Sequence, residues 1–231
     1  LATASGSDLG ETAQVLQGLM KAYGIDASEA GRVTDILTVA FQNSLWTGAE
    51  FNTAMSYVAA TASQMGIPLE QTAAALDVMS RAGYEASTAG AGLRQGLVSL
   101  VNPTSAAKEA LEKYGLSADD VNPQVVGLET ALRNLHDANI DAGDAAKIFG
   151  TESMGQMMSV IQASDGDFKT LIENMENSGG AAQAAADVVE NSASGQWTTF
   201  INGLKTLAIE IGASLVPVLK DLMSTVKPII Q

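Results

Sequence analysis

Apolar residues recur every three or four positions along most of this chain, and glycine or proline interrupts the pattern about every 10 to 20 residues. The spacing of three and four places apolar side chains on one face of an α-helix. A strand would need alternating apolar and polar residues, and no segment sustains that alternation. The sequence therefore predicts an all-α protein, a compact module of short helices arranged as helical hairpins, followed by one long C-terminal amphipathic helix.

Residues 65–103 show two such helices with their own start and stop signals. Pro68 fits a first helical turn, and Gly83 can take the left-handed conformation that ends a helix. Ser87 is a suitable cap for the second helix, which Asn102 ends because a proline follows it. The two apolar faces are formed by Leu69, Ala73, Leu76 and Met79, and by Leu93, Leu97 and Leu100.

Capping signals also mark the helices before this stretch. Asp8 and Thr47 are each followed three positions later by glutamate, which is the pattern of a capping box. Gly24 ends the first helix, and Ser28 begins the next one. Shorter helices are predicted over residues 104–115, 125–136, 141–149, 151–163 and 167–177, with loops at Asn122-Pro123 and Gly179-Gly180.

A weak internal repeat links two of the predicted hairpins. Residues 12–22 resemble residues 72–82, and after a slip of one position residues 27–31 resemble residues 86–90. Repeated helical units bury their apolar faces against one another. We therefore expect two similar helical hairpins within the module.

The predicted helix length changes near residue 180. Residues 1–180 are expected to form the helical core domain, and residues 181–231 one long amphipathic helix that Pro217 kinks. The chain begins with Leu1 instead of Met, so we expect it to be part of a longer protein or to have been processed. An apolar stripe on the last helix, the C-terminal seam, could bind a partner or a second copy, pack on the chain's own helices, or lie on a membrane surface. The seam consists of Trp197, Phe200, Leu204, Leu207, Ile211, Leu215, Val218 and Leu222.

The chain is strongly acidic, with a formal net charge of −14 at pH 7. Binding to a nucleic-acid backbone needs clustered Lys and Arg, so direct or sequence-specific nucleic-acid binding is not expected. The absence of Cys excludes disulfides and thiolate metal sites. No run of about 18 apolar residues occurs, so no segment is expected to span a membrane.

The one histidine, His136, lies close in sequence to several carboxylates. A general acid or base needs a positioned partner, and the sequence shows no such pairing. Asp137, Asn139 and Asp141 begin with the spacing of a calcium loop, but the glycine and glutamate that the loop needs at positions six and twelve are missing. We therefore predict no catalytic and no metal site, and interpret Asp141 as a helix cap.

Gly90, Gly92 and Gly96 approximate a dinucleotide-binding fingerprint. The last glycine comes one position late, and no strand precedes the motif. Close packing between helices explains these glycines better, so no cofactor and no cofactor-binding residue are expected.

Several motifs together resemble a known family. Residues 66–75 read GIPLEQTAAA, residues 89–94 read AGAGLR, and Asn102-Pro103 follows a hydrophobic run. This order is similar to the core domain of phage tail tape-measure proteins. Gly92 departs from the pattern, in which Thr or Ala is more usual, and glycine lowers helix propensity by about 1 kcal/mol.

Flanking segments extend the resemblance over nearly the whole chain. They are RVTD at residues 32–35, FGTES at residues 149–153, and SGQW at residues 194–197. Here, too, the likeness is to tape-measure proteins.

The resemblance implies a structural, non-enzymatic component of a phage or prophage tail that sets tail length during tube assembly and leaves ahead of the DNA at ejection. It implies tail tube and tail assembly proteins as partners, a homo-oligomer within the tail, and contact with the host membrane at ejection. The location would be the tail tube lumen of the virion, after a period in the host cytoplasm. Two alternatives are a membrane-interacting helical component of a phage-like injection device, and a non-catalytic part of a tail-associated cell-wall hydrolase.

Overall fold

The computed structural model describes residues 9–191, and this part of the chain contains twelve α-helices, two 3-10 helices and no strand. The prediction of an all-α fold is confirmed. The α-helices are α1 Leu9–Tyr23, α2 Ala30–Asn43, α3 Gly48–Gln64, α4 Leu69–Arg81, α5 Ala86–Val101, α6 Ser105–Glu112, α7 Pro123–Val126, α8 Leu128–Asp137, α9 Ala142–Phe149, α10 Met154–Ala163, α11 Asp167–Glu176 and α12 Ala181–Asn191; the 3-10 helices are Ala27–Glu29 and Asp119–Val121.

Helix α4 lies at the centre of the module. Helices α2, α3, α5, α10 and α11 all pack against it, and ten of its thirteen residues are buried. Its sequence, LEQTAAALDVMSR, has small residues on several sides, so neighbouring helices can come close to its backbone. A helix buried on most sides has no polar face of the kind that a surface helix shows.

The most extensive helix–helix contact joins α3 and α5. A Cβ atom on Gly90 would overlap the backbone carbonyl of Ala54 on α3, and a Cβ atom on Gly92 would lie 2.9 Å from Cγ of Gln156 on α10. A Cβ atom on Gly96 would overlap the side chain of Met157. The interpretation of these three glycines as helix-packing residues is confirmed.

Helices α1, α3, α4 and α6 end in the same kind of turn. A glycine with positive φ follows the helix, and the next residue donates its N–H to a carbonyl five positions earlier, as Tyr84 does to Met79 at 3.2 Å. The predicted helix ends at Gly24 and Gly83 are confirmed. Because the turn also occurs outside the segments of the predicted repeat, it does not test that repeat, which stays a prediction. The four glycines are Gly24, Gly66, Gly83 and Gly115, with φ of 64°, 74°, 85° and 74°.

The start of α5 differs from the prediction. The helix begins at Ala86, so Ser87 lies inside it, and Glu85 occupies the cap position without a side-chain hydrogen bond. The extended backbone that a cap requires occurs at Glu85 (φ −67°, ψ 146°), and Ser87 is therefore not the cap. At α3 the predicted capping box is confirmed: Glu50 donates its N–H to Thr47 Oγ1 at 3.3 Å, and Thr47 donates its N–H to Glu50 Oε2 at 2.8 Å.

The predicted loop at Asn122-Pro123 is wrong, because a short helix, α7, begins there. Asn122 caps this helix by accepting a hydrogen bond from the N–H of Gln124 at 2.9 Å, and Pro123 is its first residue. Proline suits this position because the first N–H of a helix has no partner within the helix. Gly127, with φ of 80°, separates α7 from α8, so the helix predicted from residue 125 begins at Leu128.

The residues through Ala185 belong to one compact unit, and a second unit begins at Ala186. Helix α12 begins at Ala181, directly after the predicted loop at Gly179-Gly180. The domain division at residue 180 and the long C-terminal helix stay predictions. The C-terminal seam, Pro217 and the cap at Asp8 lie outside the described residues.

Candidate functional site

Asp77 is a carboxyl group buried at the centre of the module. It lies in the middle of α4 and is 0% exposed, and neither of its side-chain oxygens has a hydrogen-bond partner within the described residues. Burial raises the pKa of Asp77 to about 9, because removal from water disfavours the charged form, while the positive charge of Arg81 acts in the opposite direction. Asp77 is therefore a neutral carboxyl group at pH 7.

Arg81 lies one helical turn after Asp77 but forms its ion pair with Asp167 on α11. Its Nη2 lies 2.7 Å from Oδ2 of Asp167 on α11, and its side chain is 37% exposed. Arg81 thus acts on Asp77 only through space, from a position that water screens.

Asp144 is a second buried carboxylate, and it is fully partnered. Its Oδ1 accepts hydrogen bonds from Lys113 Nζ at 2.9 Å and from Lys147 Nζ at 2.6 Å, and its Oδ2 accepts one from the Tyr114 hydroxyl at 3.2 Å. The Tyr114 hydroxyl in turn accepts a hydrogen bond from the N–H of Asp141. The hydrogen bonds from Lys147 and Lys113 lower the pKa of Asp144 to about 2. This cluster joins α6 to α9.

An open groove of about 650 Å³ lies between α1 and α3. Val15, Leu19 and Ala59 contribute apolar surface to it, and Asn52 lines it with a buried Oδ1 that has no partner in the described part of the chain. The groove could take up an apolar side chain or a small helix face, but its lining contains no charged or catalytic group.

Asp35 ties α2 to the start of α12. Its two carboxylate oxygens accept hydrogen bonds from the N–H groups of Gly180 and Ala182, each at 2.9 Å. A carboxylate at this place satisfies free N–H groups of the first helical turn and complements the helix dipole. Asp35 thereby holds the first turn of α12 against α2.

His136 and Asp141 lie at the two helix ends that flank a short loop between α8 and α9. His136 lies in the last turn of α8, with Nδ1 3.2 Å from Oδ1 of Asp137. Asp141 accepts a hydrogen bond from the N–H of Asp144 at 2.8 Å and caps α9, so its prediction as a helix cap is confirmed.

The described residues contain no group of three or more His, Cys, Asp or Glu residues arranged to hold a metal ion. None of the helices they form is long and apolar enough to cross a membrane.

The sequence did not single out Asp77 or the partners of Asp144. The signal for Asp77 is its place in the run Ala73-Ala74-Ala75-Leu76-Asp77-Val78-Met79, because small and apolar neighbours leave no solvent-facing position for the carboxylate. The Asp144 cluster has no comparable local signal, since Lys113 and Tyr114 lie in the turn after α6, about 30 residues before Asp144.

The family model for the phage-related minor tail protein matches residues 1–159 of this chain. The chain belongs to this family. Among the similar proteins, the tape measure protein of Pneumococcus phage Dp-1 is 25% identical over 237 aligned residues, which cover the whole of this chain and 21% of that protein. The probable tape measure protein of Escherichia phage P2 is 23% identical over 223 residues, which cover 91% of this chain and 27% of the relative.

The predicted resemblance to tape-measure proteins is therefore confirmed. This tail-protein chain spans only about a fifth to a quarter of the length of these two relatives. No solved structure matches it significantly.

Proposed function

We propose that this chain is a folded, non-enzymatic module of a tail tape-measure protein, which sets tail length during tube assembly and leaves ahead of the DNA at ejection. The observation that carries the proposal is the match of the whole chain to one part of a protein named for tape measurement. In this proposal its partners are tail tube and tail assembly proteins and further copies of the same protein, in the tube lumen of the virion.

The compactness of the described unit limits the role that this segment can have in measuring tail length. A continuous helix lengthens by about 1.5 Å per residue, but here glycine turns and loops divide residues 9–185 into short helices, five of which pack against α4. We infer that such a segment does not act as the ruler itself. The extended, measuring part lies elsewhere in the longer protein, and this module serves the start of assembly or the delivery of DNA.

An in-frame deletion of residues 1–231 from the full-length gene tests the proposal, with tail lengths measured by electron microscopy. We expect either loss of assembled tails or tails of normal length that fail to deliver DNA. An equally long in-frame deletion in another segment of the gene is the control. If the segment removed in the control is extended and measures length, the control tail should shorten by roughly 350 Å.

Two outcomes would contradict the proposal. Tails shortened by roughly 350 Å after deletion of residues 1–231 would mean that this segment is extended and measures length directly. Normal tails with normal infectivity would remove this segment from tail assembly and DNA delivery.

A further inference from the structure

The central helix of the module contains a fully buried carboxyl group whose oxygens have no hydrogen-bond partner among the described residues. We propose that Asp77 couples the folding of this module to the binding of one proton, so that the fold becomes more stable in acid and less stable as the pH rises. The inference concerns the stability of the module and does not depend on its role in a tail.

The first support is the position of Asp77. It is fully buried in α4, the helix against which five other helices pack. Both of its oxygens lack a hydrogen-bond partner among the described residues. An ionised carboxylate in such a place loses its hydration and gains nothing in return, whereas a protonated carboxyl group loses much less.

The second support is the position of the other charges on these helices. Helix α10 carries no ionisable residue, and every other ionisable residue on α4 and its five neighbours is at least partly exposed. Of these groups, Arg81 acts on the pKa of Asp77, and it is bonded to Asp167. The ionisable residues are Arg32 and Asp35 on α2, Glu50 and Tyr57 on α3, Glu70 and Arg81 on α4, Arg94 on α5, and Asp167, Lys169, Glu173 and Glu176 on α11.

The direction of the pH effect follows from the two states of Asp77. In the unfolded chain its pKa takes the ordinary value of 3.8, and in the fold burial raises it to about 9. Between these values the unfolded chain has lost the proton and the folded chain keeps it, so folding must bind a proton. The folding equilibrium constant then falls tenfold for each unit by which the pH rises, and the effect levels off above about pH 9.

Urea unfolding of the full chain at pH 5, 6, 7 and 8, followed by circular dichroism, tests this inference. The comparison is between the parent chain and Asp77→Asn, which keeps the shape and cannot ionise. Both chains also carry His136→Gln, because histidine ordinarily titrates in this range. We expect the folding constant of the parent to fall about tenfold per pH unit, and that of Asp77→Asn to stay nearly constant.

Asp165→Asn removes an exposed carboxylate from the turn before α11 and is the matched control, which should behave like the parent. Equal pH dependence in the parent and in Asp77→Asn would overturn the inference. If Asp77→Asn fails to fold, the parent alone still decides, because a folding constant that stays level between pH 5 and pH 8 would also overturn it.

Discussion

Asp77 and Asp144 are both buried aspartates, yet the two regions around them treat the negative charge in opposite ways. Around Asp77, small and apolar residues bring helices together, and no described residue donates a hydrogen bond to either oxygen. At the junction of α6 and α9, two lysines and a tyrosine donate hydrogen bonds to Asp144. Burial without partners favours the neutral acid, and burial with cationic donors favours the carboxylate.

The two aspartates therefore affect the stability of the fold in different pH ranges. The pKa of Asp77 is raised to about 9, so its neutral form stabilises the fold below about pH 4 and this contribution is lost as the pH rises toward 9. The pKa of Asp144 is lowered to about 2, so its contribution is present above about pH 4 and is lost as the pH falls toward 2. Together the two groups favour greatest stability near pH 4.

Replacing Asp77 by leucine should produce the largest change, because it removes the ionisable group from the core. At pH 7 the unfolding free energy should rise by about 4 kcal/mol, which is the proton-binding term between the unfolded pKa and pH 7. Urea unfolding at pH 7 and at pH 4 measures it, and the gain should largely disappear at pH 4. A loss of stability of equal size at both pH values would mean that leucine is simply too large for the site.

Gly90→Ala tests the close packing between α3 and α5, two of the helices that pack against α4. Its Cβ atom would overlap the backbone carbonyl of Ala54, so α3 and α5 must move apart. The unfolding free energy should fall by about 3 kcal/mol. Gly18→Ala is the matched control, since a Cβ atom there meets nothing within 4 Å, and it should raise stability by up to about 1 kcal/mol. Equal effects of the two substitutions would contradict the close contact.

Asp144→Asn tests the partnered region and should lower stability at pH 7, because the two lysines lose the negative charge that they share. The parent should also lose stability between about pH 4 and pH 2, and the variant should lack this part of the acid response. Thermal unfolding at pH 7 and pH 3 measures both effects. Asp119→Asn, at an exposed position, is the control and should leave them unchanged. If Asp144→Asn lost as much stability in acid as the parent, the acid response would come from other carboxylates.

Arg81→Met should have the smallest effect, less than about 1 kcal/mol at pH 7, because its ion pair with Asp167 is exposed. The pKa of Asp77 should rise further, since the nearby positive charge is gone. Urea unfolding and a carboxyl titration measure these effects. A loss as large as that of Gly90→Ala would show that Arg81 supports the core around Asp77 directly.

Local sequence patterns predicted most of the helices because the signals are themselves local. The capping box of Thr47 and Glu50 and the helix ends at Gly24 and Gly83 depend on residues a few positions apart. The prediction of Ser87 as a helix cap is wrong because a residue caps a helix only where its backbone is extended, and that position is Glu85.

The environments of the two aspartates could not be predicted in the same way. Asp77 is buried because five separate helices close around α4, and no short pattern encodes their arrangement. Asp144 meets Lys113 and Tyr114 only after α6 packs against α9. The hydrogen bond from Gly180 to Asp35 joins residues that are farther apart still.

The most direct test of the contrast between the two regions is a carbon-13 NMR titration of the aspartate carboxyl groups in the full chain, assigned with Asp77→Asn and Asp144→Asn. We predict that Asp77 titrates near pH 9 and Asp144 near pH 2. If both groups instead titrated between about pH 3 and pH 5, the ordinary range for aspartate, the two regions would not shift the pKa of their aspartates in opposite directions. The contrast drawn between them would then be wrong.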